Sequence, residues 1–173
     1  ARLTAEETPP PIAPADIILN GVSAGGNMVA ATVLKARDQG LALPGLAAMR
    51  TPELDLAETG DSFATHMGID NVLPNPLVTL SELYAGGADL ADPYLSPLFG
   101  DFTKGFPRTW LQAGTRDLFL SNCARMHRAL LKARVEAELH VWEAMPHAGF
   151  GGLSPEDREV DAAIADFVGR LWP

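Results

Sequence analysis

The chain has 173 residues, 47% hydrophobic and 20% charged, which suits a single globular domain over residues 1–173. A net charge of −9 and a pI near 4.8 weigh against nucleic acid or an anionic membrane surface as partner, since both would repel the chain. Its one cysteine, Cys123, excludes an internal disulfide, no apolar run approaches the roughly 20 residues that span a bilayer, and residues 1–16 lack the layout of a secretory signal, so the cytoplasm is the default location.

Residues Ala1 to Asp16 carry Pro9, Pro10, Pro11 and Pro14 and read as an extended surface lead-in. A first strand is expected over Asp16 to Asn20. It runs into Asn20-Gly21-Val22-Ser23-Ala24-Gly25-Gly26, followed by a helical run from Asn27 to Arg37. Strand, tight glycine turn and helix are the setting of a nucleophile elbow, in which a serine is held in a strained corner and the small neighbours Gly21, Gly25 and Gly26 avoid collision. The helix N-terminus directs backbone N–H groups at the reacting oxygen, which makes the amide of Ala24 a candidate oxyanion donor. A bare G-x-S-x-G is weak evidence, and its strand and helix neighbours are what sharpen it.

Gly40 to Pro44 closes that helix, and Gly45 to Arg50 reads as a second, buried strand. Residues 51–105 are broken by Pro and Gly around short apolar clusters and predict a long excursion with one or two helices. Thr109 to Gly114 is a further buried strand. Ser121 to Val135 is an amphipathic helix with Met126, Leu130, Leu131 and Val135 at apolar positions and Cys123 as a structural thiol. Glu138 to Glu143 is the fourth strand. Ser154-Pro155-Glu156-Asp157 caps a last helix carrying Val160, Ile164, Phe167, Val168 and Leu171. The alternation predicts an α/β fold with a mainly parallel sheet of about four strands flanked by helices.

In such a sheet, reactive groups gather beyond the carboxyl ends of the strands. Of the histidines, His140 falls inside a strand, His127 inside a helix, on its polar face, and His66 in the excursion, whereas His147 follows a strand directly. Asp117 follows the Trp110 strand in Gly114-Thr115-Arg116-Asp117, while Asp55 follows the earlier strand and Asp61, Asp70, Asp89 and Asp92 belong to the excursion. Ser23, Asp117 and His147 thus supply nucleophile, acid and base in the order of an elbow-type triad. No H-x-x-x-H, H-E-x-x-H or paired-cysteine spacing supports a metal site, and neither a P-loop nor G-x-G-x-x-G occurs.

Gly21-Val22-Ser23-Ala24-Gly25-Gly26-Asn27, Asp92-Pro93-Tyr94-Leu95-Ser96-Pro97-Leu98, Gly114-Thr115-Arg116-Asp117 and His147-Ala148-Gly149-Phe150 together resemble motifs of the α/β-hydrolase superfamily, and within it of the bacterial hormone-sensitive-lipase-like esterases. The resemblance implies a carboxylesterase that acts on short- to medium-chain acyl esters through an acyl-enzyme, with Ser23 as nucleophile, Asp117 as acid and His147 as base and no cofactor. Val22 stands where the family carries an acidic or polar residue. The family's His-Gly-Gly-Gly oxyanion loop and N-terminal cap have no counterpart before Ser23, so the chain reads as the carboxyl-terminal, triad-bearing part of such an esterase. Its elbow strand is then expected at an open sheet edge, available to a missing N-terminal segment or to another chain, and a homodimer is left open. The same absence leaves a second reading, a catalytically silent hydrolase-like domain that binds a small molecule or a partner.

Overall fold

A computed structural model describes residues 12–170. Four parallel strands, β1 (Ile18–Val22), β2 (Leu46–Arg50), β3 (Arg108–Gly114) and β4 (Ala137–Trp142), lie in the order β1-β2-β3-β4. The expected parallel α/β sheet is therefore present, and β1 occupies an edge as anticipated. The main helices are α1 (Ala24–Asp38) between β1 and β2, α2 (Ser62–Thr65) and α3 (Val78–Ala85) in the excursion, α4 (Leu120–Lys132) between β3 and β4, and α5 (Pro155–Gly169) at the end.

Two apolar layers sandwich the sheet. On one face Val29, Ala30, Val33 and Leu34 of α1 and Met126 and Leu130 of α4 meet Ala47, Met49 and Leu111. On the other, Val160 and Phe167 of α5 cover Leu46, Ala48, Trp110 and Met145. β2 and β3 have helices above and below, which is why both read as nearly continuous apolar runs. Every residue of β3 after Arg108 is buried.

The start of α5 follows from its sequence. Ser154 Oγ accepts the Asp157 amide at 2.9 Å while Asp157 accepts the Ser154 amide at 3.2 Å, a reciprocal cap completed by Pro155 in the first turn.

Several local expectations are corrected. Pro14–Asp16 forms a 3₁₀ turn rather than continuing an extended lead-in, and residues 1–11 lie outside the described part. β1 begins and ends two residues later than expected, so that the strand carries through Gly21 and Val22 to the corner itself. The helix after it starts at Ala24, directly behind Ser23. Leu131 is 41% exposed and belongs to the outer face of α4; Leu171 lies outside the described residues. Cys123 is buried, and burial, with a further contribution from Asp117, pushes its thiol well up. Among the described residues no helix is long and apolar enough to cross a membrane.

Candidate active site

Ser23 sits at the corner between β1 and α1 with φ 57° and ψ −123°, a conformation that costs a non-glycine residue about 1–3 kcal/mol. The surroundings over-determine it. Its amide donates to Arg50 O at 3.0 Å, and its carbonyl accepts the amides of Gly26 at 2.9 Å, Asn27 at 3.2 Å and Glu53 at 3.3 Å. Ser23 is the residue before the helix, where a serine hydroxyl ordinarily caps the first turn, yet its side chain makes no capping bond. The unusual backbone angles thus leave Oγ unspent. The Ala24 amide, at the first helical position, also has no hydrogen-bond acceptor among the described residues.

The glycines around the corner differ in what they permit. A Cβ on Gly21 would lie 2.2 Å from Gly25 O, and one on Gly26 would lie 2.6 Å from Pro52 Cβ. Gly25, expected to be small for the same reason, has open space at its Cβ position. Its side-chain position is not crowded by the described residues.

The expected acid and base are joined. His147 Nδ1 lies 3.1 Å from Asp117 Oδ1, with the two side chains 4% and 0% exposed. The carboxylate only accepts, so a proton resides on Nδ1, and the lone pair of the ring's neutral form is at Nε2. Asp117 Oδ1 also accepts the Phe119 amide at 3.0 Å, and the Phe119 ring meets the imidazole edge-on at a centroid distance of 4.9 Å. A second histidine braces the acid from behind: His66 Nδ1 lies 2.9 Å from Asp117 O. Because a carbonyl accepts only, His66 is the donor there.

Close approach of the two loops depends on Gly114. A Cβ there would fall 1.9 Å from Met145 O, and the same carbonyl accepts the Arg116 amide at 3.2 Å. Beyond His147, Asp157 gathers the following turn, accepting the amides of Phe150 at 2.9 Å and Gly152 at 2.9 Å. Burial pushes the Asp157 carboxyl up, and the donors from Phe150, Ser154 and Gly152 outweigh it to leave a net downward shift.

Ser23 and the His147–Asp117 pair share Glu53 as a neighbour. The Glu53 amide bonds Ser23 O, while its carboxyl feels the charge of His147. No hydrogen bond joins Ser23 Oγ to His147. Burial, reinforced by Glu58, raises the Glu53 carboxyl against opposing effects of His147 and a Ser81 hydrogen bond. An apolar cavity of about 320 Å³ opens beside Ser23, walled by Met28, Glu53, Leu56, Leu77, Leu80 and Tyr84.

Other candidates have structural employment. His140 stacks between Trp110 and Trp142 and bonds Glu138. His127, expected on a polar face, is half-buried with Nε2 3.2 Å from Ala137 O. Asp55 accepts from Thr59 and Arg125, and Asp92 from the Tyr94 amide.

Sequence reasoning missed Asn27 and Asp70. Asn27 Nδ2 donates to Glu53 O at 2.8 Å and Leu95 O at 2.7 Å, tying the elbow helix to two stretches of the excursion. Its signal was the polar residue that ends the Gly-Gly-Asn run on an otherwise buried helix face. Asp70 is fully buried and accepts amides from loops far away in sequence, with no local pattern to mark it.

Comparison with known proteins agrees with this architecture. An acetyl-hydrolase of Streptomyces hygroscopicus is 31% identical over 158 residues, covering 90% of this chain and 52% of that protein. An esterase of Acinetobacter venetianus is 29% identical over 169 residues, covering 92% and 54%. The chain spans about half the length of the curated relatives it matches. Among solved structures, an esterase from the bacterial hormone-sensitive lipase family superposes with a TM-score of 0.86 at 32% identity, covering 93% of this chain and 55% of that one. An esterase/lipase from an uncultured bacterium gives 0.81 at 29% identity, covering 92% and 54%. The alpha/beta hydrolase fold family model matches residues 3–150, and the chain belongs to that family.

Proposed function

We propose that these residues carry the reacting groups of a carboxylic ester hydrolase acting on short- to medium-chain acyl esters. The observation that carries the reading is the strained Ser23, with its hydroxyl free of capping duty, in the same fold as a buried His147–Asp117 pair.

His147 Nε2 takes the proton of Ser23 Oγ as the oxygen attacks the ester carbonyl, and the Ala24 amide donates to the oxyanion that develops. Collapse of this intermediate breaks the bond to the alcohol oxygen, which leaves with the proton held by His147. Water then attacks the acyl-serine, gives a proton to His147 and releases the carboxylic acid as Ser23 recovers its own. Asp117 fixes the Nδ1–H tautomer and steadies the imidazolium throughout. The apolar cavity beside Ser23 receives the acyl chain, consistent with the esterase and acetyl-hydrolase names of relatives.

Because the relatives are about twice as long, the serine itself is the first thing to test. Incubation with a fluorophosphonate followed by intact-mass measurement is expected to give one adduct, absent in Ser23→Ala and slowed by about 10³–10⁴-fold in Asp117→Asn, where the imidazole loses its orienting acceptor. An adduct that survives Ser23→Ala removes Ser23 from the role. No adduct on the folded protein favours the silent binding domain.

A further inference from the structure

Asp70 lies at the end of a stretch of the excursion that grips the acid loop. Ser62 Oγ donates to Leu118 O at 2.7 Å, the Ser62 amide bonds Ser121 Oγ at 2.9 Å, and His66 bonds Asp117 O. Gly60 passes so close that a Cβ there would lie 2.6 Å from Ser121 Cβ.

Asp70 goes further, because its carboxylate serves its own turn and both loops at once. Oδ1 accepts the amides of Val72 at 2.9 Å and Leu73 at 3.1 Å, closing its own turn. Oδ2 accepts the Leu118 amide at 2.8 Å and the His147 amide at 3.2 Å, and the His147 amide also lies 3.4 Å from Oδ1. One buried carboxylate oxygen therefore holds the residue after the acid and the base residue itself. A carboxylate is the side chain suited to this place, since it accepts on both oxygens and donates on neither. Hydrogen bonds to a charged acceptor are also the stronger kind.

We propose that Asp70 is a positioning residue: it pins the loops after β3 and β4 to each other so that His147 Nδ1 stays aligned on Asp117 Oδ1. The inference rests on the esterase reading for its link to chemistry, while its geometric content stands apart from turnover.

The test uses Asp70→Asn and Asp70→Ser with two readouts on the folded proteins. The amide of asparagine has nearly the shape of the carboxylate but only one acceptor, so one pair of N–H groups must face an NH₂. The first readout is the downfield proton resonance of the His147 Nδ1–H, assigned by its loss in His147→Gln. It is expected in the parent protein and broadened or lost in both Asp70 variants. The second is the fluorophosphonate labelling rate of Ser23, expected to fall by about 10²-fold, as for small misplacements of reacting groups. In an Asp117→Asn background the further loss from Asp70→Asn should nearly vanish, because the pair that Asp70 aligns is already disabled.

An unchanged resonance and rate overturn the proposal, and so does a labelling loss that only tracks the folded fraction seen by circular dichroism. Failure of both variants to fold would make Asp70 a stability residue and overturn it as well. A parent protein that never labels, yet loses the His147 resonance on Asp70 substitution, sinks the esterase reading and leaves the positioning role standing.

Discussion

A Cβ placed on Gly21 would meet the carbonyl oxygen of Gly25 at 2.2 Å, so the last turn of β1 and the first turn of α1 are pressed together with no room for a methyl group. The neighbouring backbone is the obstacle, and it yields less readily than a side-chain tip. Gly21→Ala should therefore cost on the order of 3 kcal/mol and displace Ser23. Gly25→Ala meets nothing within 4 Å and lies in α1, where alanine is favoured over glycine, so it should be neutral or mildly stabilising. Urea unfolding of the two variants side by side checks the contrast; equal losses would contradict it.

Asn27 offers a second, separable test. Its Nδ2 satisfies two carbonyls, those of Glu53 and Leu95. Asn27→Ala leaves both without this donor, and Asn27→Asp turns a carboxylate towards them. The alanine variant should lose about 1–3 kcal/mol, and the aspartate variant more, with the midpoint of urea unfolding shifted and its slope unchanged.

The raised Glu53 carboxyl predicts a pH dependence. Burial is the main cause, with Glu58 adding to it. A carboxyl raised in the folded state resists ionisation there, so its protonated form stabilises the fold below the unfolded-state value, and that advantage is lost as pH rises through the folded-state value. Glu53→Gln stays neutral and should flatten this decline. Urea midpoints measured from about pH 4 to 7 in both proteins check it; parallel profiles would remove Glu53 as the source.

Asp157 carries the opposite sign. Although burial works upward, its backbone donors hold the carboxyl below its usual range. The resulting stability is present above the unfolded-state value and lost as pH falls through the folded-state one. Asp157→Ala removes the carboxylate half of the reciprocal α5 cap and the anchor of the turn after His147, and should cost about 2 kcal/mol. It should also slow Ser23 labelling, because the base loop loosens. Labelling at the parent rate would confine Asp157 to stability.

The fold was largely legible because the first three strands, from Ile17-Ile18-Leu19 to the Trp110 strand, carry apolar runs that lead to a turn signal, while β4 alternates polar and apolar residues. The Ser23 corner, Asp117 and His147 were legible for the same reason, since all three follow strand ends. What escaped was non-local. The donors that make Asp70 important lie 48 and 77 residues away from it, and the carbonyls that hold Asn27 lie 26 and 68 away. Periodicity registers neighbours along one element and has no access to such pairs. The displaced ends of β1 have a different cause: glycine is a poor strand former, yet Gly21 must stay extended to bring the chain into the corner.

The distribution of these contacts along the chain bears on the order in which the site assembles. Ser23 is fixed by bonds within residues 23–53, all in or just beyond the β1-α1-β2 unit, whereas His147 and Asp117 meet across 30 residues in the β3-α4-β4 unit. Each half has short loops to close and is favoured to form early. Asp70 reaches its distant partners, the Leu118 and His147 amides, across longer loops of 48 and 77 residues, which cost more entropy to close. The corner serine and the acid–base couple are thus each tied within its own stretch of chain, and Asp70 adds its long-range bonds to the acid–base half alone.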